Sequence, residues 1–179
     1  MAWYDAKKSS TLVNPDGRTD GWTTVSTGNL TSLPAVTLNP SLVAASRYLD
    51  IELDFNLAGF AEVDYVLALN GSTASIGSCI VNSWIVATEQ TPRRPATINL
   101  GGCQTGDPVY KCTATLELTP GRFRMFTANA ITHGGSFANE RSQTTGYVSN
   151  TSLVISTVQI VGTVSNNITA GSRQRFTLR

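Results

Sequence analysis

The sequence has few of the residue types from which catalytic and metal sites are usually built. Its 179 residues include three cysteines, without a Cys-x-x-Cys pair, and a single histidine, His133. A structural zinc site needs four Cys or His ligands at close spacing, so no metal site is expected. Neither a phosphate-binding glycine loop nor a Gly-x-Ser-x-Gly elbow is present. The sequence therefore predicts no catalytic residues and no cofactor.

Long apolar runs and an export signal are also missing. No run of 18 apolar residues occurs, which predicts no membrane insertion. The start "MAWYDAKKSS" has no apolar core after its lysines, so a secretory signal is not expected. Cys103 and Cys112 bracket a short segment, and their spacing fits a disulfide or two reduced thiols.

Charge is scarce and unevenly distributed along the chain. Charged residues make up 14% of the sequence, against about 25% in average usage. The net charge is −4 up to Leu118 and +5 from Thr119 onward. The basic residues are scattered rather than gathered in a stripe with aromatic residues, which argues against nucleic acid as a partner.

Strand and turn signals run through nearly the whole chain. Ser, Thr and Asn fill 53 positions, and these residues favour strands and turns. The stretch "NPSLVAASR" is the one helix candidate, with Asn39 as the cap and Pro40 at the first helical position. We expect an all-β fold, an antiparallel β-sandwich of jelly-roll type with about 8–10 strands. One domain over residues 1–179 is expected, with 1–20 as a candidate extended docking arm.

The segment "YLDIELDF" alternates apolar and acidic side chains, as a half-buried strand does. The pattern predicts that Leu49, Ile51, Leu53 and Phe55 are buried. The acidic residues between them would then face water or a partner chain, and these are Asp50, Glu52 and Asp54.

This acidic row allows three interpretations. The pattern Asp50-x-Glu52-x-Asp54 resembles the Glu-x-Asp-x-Glu strand motif of the laminarinase and lichenase family, which implies a glycoside hydrolase with the outer carboxylates as nucleophile and general acid. Asp and Glu are interchanged relative to that motif. Calcium is a second interpretation, although it needs six to eight converging oxygens and a strand presents its carboxylates in parallel. The third is an acidic face that meets arginines.

The third interpretation, an acidic face that meets arginines, depends on arginines in the last third of the chain. We expect "RYLDIELDF" and "FAEVDYVLAL" to pair as a hairpin, which would place five acids on neighbouring strands. The segments "GRFRMF" and "SRQRFTLR" would carry basic faces that neutralise them, within one sheet or between subunits. The candidate interface residues are Asp50, Glu52, Asp54, Glu62, Asp64, Arg122, Arg124, Arg173 and Arg175.

The stretch from Thr132 to Gly146 has turn residues and no periodicity, which predicts an exposed loop. Phe137 is its one large apolar side chain and is a further interface candidate.

In composition the chain resembles virion structural proteins of bacteriophages and related viruses, such as tail-fibre, baseplate and capsid-accessory modules. The features that carry the resemblance are the "MAWYDAKKSS" start and turn-rich strands such as "VSNTSLVISTVQIVGTVSNNITAG". It implies a non-enzymatic homo-oligomer that docks to other virion proteins and is located in the virion. The alternative is a carbohydrate-binding module for a host-surface glycan, which would use the 133–146 loop and Trp3, Trp22 and Trp84.

Overall fold

The computed structural model describes residues 10–11, 22–25, 28, 30–58, 62–73, 77–85, 88–103, 106, 108–133, 140–164 and 168–179. Within these ranges the chain forms thirteen strands and one short helix. Nine of the strands have six or more residues. The elements are β1 (Ser10–Thr11), β2 (Trp22–Thr24), β3 (Val36–Thr37), α1 (Pro40–Ala45), β4 (Tyr48–Asn56), β5 (Val63–Leu69), β6 (Gly77–Ile85), β7 (Thr88–Glu89), β8 (Ile98–Cys103), β9 (Val109–Glu117), β10 (Arg124–His133), β11 (Glu140–Val148), β12 (Thr157–Gly162) and β13 (Arg173–Leu178).

The strands form two antiparallel sheets that pack face to face. The large sheet has the order β1-β13-β4-β9-β10-β11-β6-β7, and β2 also pairs with β13. The small sheet has the order β3-β12-β5-β8. Apolar side chains from both sheets form one buried core between them. The predicted all-β antiparallel sandwich is therefore confirmed.

Strand β4 has the predicted alternation along its length. Its side chains at Leu49, Ile51, Leu53 and Phe55 are buried in the core. The intervening carboxylates lie on the outer face of the large sheet and are half-buried. Because strand side chains alternate with a period of two, the apolar positions alone fix which face the acids occupy.

Three aromatic rings join the two sheets at the centre of the core. Phe55 on β4 and Tyr110 on β9 belong to the large sheet, whereas Tyr65 on β5 belongs to the small one. The ring centroid of Tyr65 lies 5.1 Å from that of Phe55 and 4.5 Å from that of Tyr110. The buried Tyr110 hydroxyl donates to the Leu100 carbonyl of β8 at 2.9 Å, so the cluster holds the sheets together through both apolar and polar contact.

Helix α1 begins as the sequence predicts. Asn39 is its N-cap, and the Asn39 side-chain oxygen accepts from the backbone N–H groups of Ser41 and Leu42 at 3.0 and 3.4 Å. Pro40 occupies the first turn, where a missing N–H has no cost.

The prediction that the two acidic segments, now β4 and β5, pair as a hairpin is wrong. Strand β4 lies in the large sheet between β13 and β9, whereas β5 lies in the small sheet between β12 and β8. The chain crosses from one sheet to the other between them. Strand β5 carries a nearly continuous buried run, which is typical of a strand covered on both faces rather than of one with a solvated face.

The prediction of a loop from Thr132 to Gly146 is also wrong at both of its ends. Strand β10 continues to His133, and β11 begins at Glu140, so the two strands form a long hairpin. Phe137 lies outside the described residues. So does almost all of the candidate docking arm at 1–20, except for β1, which pairs with β13.

The three cysteines are buried and reduced. Burial raises the pKa of the Cys112 thiol to about 12. Burial likewise raises the pKa of Tyr110, whose hydroxyl shares the Leu100 carbonyl with the Cys112 thiol. Both groups therefore retain their protons in the folded core at pH values where the unfolded chain loses them.

We predict that stability falls on the alkaline side of about pH 8.5, the ordinary pKa of a thiol. The folded chain holds the Cys112 proton more tightly than the unfolded chain does. This contribution is therefore complete below about pH 8.5 and is lost as pH rises towards the folded pKa of about 12. One thiol contributes a slope of about 1.4 kcal/mol per pH unit. Cys112→Ala should lower the measured slope by that amount in urea denaturation between about pH 9 and 11.

The neighbouring inward residue Ala114 supplies the control. Ala114→Gly removes core volume without removing an ionisable group, so it should lower stability equally at every pH. An unchanged slope in Cys112→Ala would contradict the prediction.

Candidate functional site

The acidic row of β4 faces a row of arginines on β13. The two strands are antiparallel neighbours, with Arg175 opposite Glu52 and Arg173 opposite Asp54. All of these side chains point away from the core, because Gln174, Phe176 and Leu178 alternate with the arginines and are buried. The register therefore brings together four of the predicted interface residues within one chain.

Each carboxylate of the row is paired with an arginine. Arg175 Nη2 lies 2.5 Å from both carboxylate oxygens of Glu52. Arg173 Nη2 donates to Asp54 Oδ2 at 2.7 Å, and Lys111 Nζ lies 3.6 Å from Asp54 Oδ1. Asp50 accepts hydrogen bonds from Arg179 and from the Thr115 hydroxyl. We refer to these three arginine–carboxylate pairs as the ion-pair ladder.

Aromatic rings support the ladder at its outer edge. The guanidinium carbons of Arg173 and Arg175 lie 4.6 and 4.9 Å from the Trp22 ring centroid. The Arg179 guanidinium carbon lies 4.7 Å from the Tyr48 centroid. The hydrogen bond to Asp50 raises the pKa of Arg179, so this terminal cation is stabilised in its charged form. Stacking on a ring face and pairing with a carboxylate together orient each guanidinium.

The other two acids of the expected cluster lie elsewhere. Asp64 is on β5 in the small sheet, and both of its oxygens accept from Arg93, at 2.7 and 2.9 Å. Glu62 precedes β5 and is exposed. The structure therefore separates Glu62 and Asp64 from the acidic row instead of extending it.

The predicted basic face of "GRFRMF" is not formed. Arg124 is only 2% exposed, and its guanidinium donates to the carbonyls of Leu153 and Thr119 at 2.6 and 3.4 Å. Burial lowers the pKa of Arg124. Arg122 is exposed and pairs with Glu117. Phe126, Ala128 and Ala130 are the core residues of β10, and they place Arg124 on the inner face.

An apolar patch lies on the outer face instead. Phe123 is 60% exposed and Met125 is 53% exposed, and the Phe123 ring centroid lies 5.3 Å from that of Tyr147. Met125 stands opposite Tyr147 in the β10–β11 pair. A depression of about 310 Å³ adjoins them and is lined by Ile80 and Arg94 among others. We call Ile80, Phe123, Met125 and Tyr147 the apolar patch.

An open groove of about 480 Å³ crosses the same face next to the ion-pair ladder. Its outward side chains come from β2, β13, β4, β9, β10 and β11 and are therefore distant in sequence. They are Trp22, Glu52, Asp54, Lys111, Thr113, Asn129, Ile131, Arg141, Gln143 and Arg173.

The glycoside hydrolase interpretation assigns the outer carboxylates of the row, Asp50 and Asp54, as nucleophile and general acid, and both are engaged by arginines in this structure. A retaining enzyme uses one carboxyl as a nucleophile and a second, in an apolar setting, as a general acid. Here Asp50, Glu52 and Asp54 each accept hydrogen bonds from arginine. The carboxylates are used to hold β13 on β4.

The part of the chain that the structure describes also bears on two other kinds of site, a metal centre and a membrane-spanning helix. No group of three or more His, Cys, Asp or Glu side chains there is arranged to hold a metal ion. None of its helices is long and apolar enough to cross a bilayer.

No protein-family model, no curated protein and no solved structure matches this chain.

Sequence reasoning missed the two surface features that the fold creates. The outward position of Phe123 and Met125 could have been found by extending the alternation to Phe126, Ala128 and Ala130, which the core requires. The groove had no local signal, since six strands contribute to it.

We predict that Glu52 and Arg175 are energetically coupled. A double-mutant cycle with Glu52→Gln and Arg175→Gln should give a coupling free energy of about 1 kcal/mol by urea denaturation, since the pair is bidentate but partly exposed. The control cycle combines Glu52→Gln with Arg93→Gln, because Arg93 pairs with Asp64 in the other sheet. Its two changes should add to within about 0.5 kcal/mol. Equal coupling in both cycles would refute a specific pair.

Charge reversal at Arg122 and Arg124 should have very different effects on stability. Arg124→Glu would place a buried carboxylate against two carbonyl oxygens, and we expect a loss of more than about 3 kcal/mol in the free energy of unfolding. Arg122→Glu removes the pair between an exposed arginine and the buried Glu117, which keeps Arg47 as a second cation at 3.8 Å, and it should cost about 2 kcal/mol or less. Thermal melting of the two variants measures the difference. Similar losses would show that Arg124 is not buried.

Proposed function

We propose that this chain is a non-enzymatic structural protein of a virion, which forms a homo-oligomer and docks to other components of the particle. The apolar patch is the observation that carries the proposal. Two aromatic rings and a methionine stand together, exposed, on the outer face of the large sheet. Exposed clusters of this composition are typical of protein–protein interfaces, in which Tyr, Phe, Met and Arg are enriched.

The geometry of the patch suits a rigid contact. Ile80, Met125 and Tyr147 come from β6, β10 and β11, which are hydrogen-bonded neighbours in the large sheet, and Phe123 directly precedes β10. Phe123 and Tyr147 already contact each other in the single chain, so less side-chain freedom remains to be lost on association. The adjoining depression, with Arg94 at its border, would receive an apolar side chain from a second copy.

Two further observations support a structural role. All three carboxylates that resemble a hydrolase motif are engaged in the ion-pair ladder. The Ser-, Thr- and Asn-rich composition supports the virion assignment through its resemblance to viral structural modules.

The ion-pair ladder also affects which surface of the chain we expect to self-associate. Arg173 and Arg175 neutralise the acidic row within the chain, so the row has little charge left to offer a partner. We therefore place the self-association surface at the apolar patch. Charged residues at its border would affect the rate and the register of association more than its affinity.

We predict that the native mass is a defined multiple of 19.1 kDa in light scattering after size-exclusion chromatography. The double variant Phe123→Ser, Tyr147→Ser should weaken self-association at least about thirtyfold, as truncation of two central aromatic residues does in other interfaces. Its melting temperature as a monomer should remain close to that of the dissociated wild-type chain, because both side chains lie outside the core.

Val154 gives the matched control. It is apolar and 74% exposed, and it lies outside the patch. Val154→Ser should leave the native mass unchanged. A wild-type chain that stays monomeric at every concentration, or a double variant that assembles like the wild type, would contradict the proposal.

A further inference from the structure

The groove beside the ion-pair ladder has the size and position of a ligand site. Its volume of about 480 Å³ falls within the range of small-molecule sites, roughly 300 to 1,000 Å³. It crosses the strands from β13 to β11, a span of four strand spacings or about 19 Å. A groove of that length suits an extended ligand lying across the strands. It is separate from the apolar patch, since Asn129 lies four residues, or about 13 Å, along β10 from Met125.

One line of polar side chains crosses the sheet through this groove. Each member stands directly opposite the next in the strand register, so consecutive side chains are about 4.8 Å apart. The line consists of Arg175, Glu52, Thr113, Asn129 and Gln143, with Trp22 opposite Arg175 at one end. The register therefore places hydrogen-bonding groups at regular intervals along the path of a ligand.

The centre of the line is uncharged and available for hydrogen bonding. Among the described residues, neither the Asn129 nor the Gln143 side-chain amide has a hydrogen-bond partner, and both side chains are exposed. Each amide offers two donors and an acceptor, and the Thr113 hydroxyl both donates and accepts. Such a set matches hydroxyl groups, which also donate and accept, better than it matches a group with one sign of charge.

Both carboxylates at the β13–β4 end of the groove are already paired with cations. Glu52 is neutralised by Arg175, and Asp54 by Arg173 and Lys111. A ligand therefore does not need to bring a cation to pair with them, and three cations on two carboxylates leave one net positive charge at this end. The half-buried Trp22, with the guanidinium groups of Arg173 and Arg175 stacked on its ring, borders this end and offers the remaining edge of the indole to a ligand.

We propose that this groove binds a neutral oligosaccharide across the strands of the large sheet. Its hydroxyl groups hydrogen-bond to Thr113, Asn129 and Gln143, and one sugar ring packs near Trp22. A peptide is a poorer match, because an extended peptide adds to a sheet edge through backbone hydrogen bonds, whereas a sheet face offers only side chains. A nucleic acid would require several uncompensated cations, and three of the four cations at this end of the sheet are paired.

Arg141 is the fourth cation, and it would favour a different ligand, an acidic glycan. It lies in the groove, and no described residue forms an ion pair with it. An acidic glycan would use Arg141 as its main contact, whereas a neutral glycan would depend on the amides. The two classes therefore make different demands on the same groove.

Isothermal titration of the full chain tests the proposal with two sets of probes. The neutral set is the hexaoses of cellulose, laminarin, mannan, xylan and chitin, and the acidic set is oligogalacturonate and sialyllactose. We expect at least one neutral hexaose to bind with a Kd below about 1 mM. Asn129→Ala, Gln143→Ala should weaken that binding at least about tenfold, because two hydrogen-bonding amides are lost.

The matched control lies one row away on the same two strands. Thr127 and Thr145 are also opposite each other and exposed, but they lie outside the groove. Thr127→Ala, Thr145→Ala should bind the hexaose like the wild type. No binding of any neutral hexaose at about 1 mM would overturn the proposal, and so would equal weakening in both double variants. Binding of acidic probes alone, with loss only in Arg141→Ala, would also overturn it.

The result does not depend on the proposed assembly. The amide variants keep the apolar patch, so their native mass should equal that of the wild type. The Phe123→Ser, Tyr147→Ser variant keeps the groove and should bind the hexaose as a monomer. Loss of assembly and loss of glycan binding are therefore separable outcomes.

Discussion

Strand β4 must satisfy two opposite environments at once, and the rest of the sandwich is arranged around that requirement. Its inner face carries four large apolar side chains that close the core. Its outer face carries three carboxylates, which would repel each other along one strand without neighbouring cations. The cations come from β13, so the last strand has to lie beside β4 in one register. A shift of β13 by one residue would turn its arginines towards the core and leave the carboxylates of β4 without their cations.

This constraint explains the uneven charge along the chain without reference to a partner. The acids are concentrated before Leu118 and the arginines after it, because β4 and β13 are far apart in sequence but adjacent in the large sheet. The charge asymmetry therefore reflects topology for Arg173, Arg175 and Arg179. Arg124 belongs to a different category, since it is enclosed by backbone carbonyls rather than carboxylates.

The sequence predicts a structural feature well when the signal for that feature comes from neighbouring residues. The burial of Leu49, Ile51, Leu53 and Phe55 and the Asn39 cap depend on neighbouring residues only, and both predictions were confirmed. The partner of β4 depends on which sheet each later strand enters, which alternation does not encode. The loop between β10 and β11 was predicted too long, because polar inward residues such as Ser142 and Thr144 hide the periodicity of a strand. The groove combines six strands, so it follows only from the sheet order.

The outer face of the large sheet changes in character from one region to the next. The ion-pair ladder occupies the β13–β4 side, a mostly polar region that also contains Lys111, Ile131 and Arg141 occupies the middle, and the apolar patch lies towards β6. A solvated sheet face needs none of this order, because scattered lysine and glutamate keep a protein soluble equally well. Apolar area stabilises contact with another protein surface, whereas a row of amides and hydroxyls offers directional hydrogen bonds with little apolar area. The two regions therefore suit different partners, which is the reason for assigning self-association to one and a hydroxyl-rich ligand to the other.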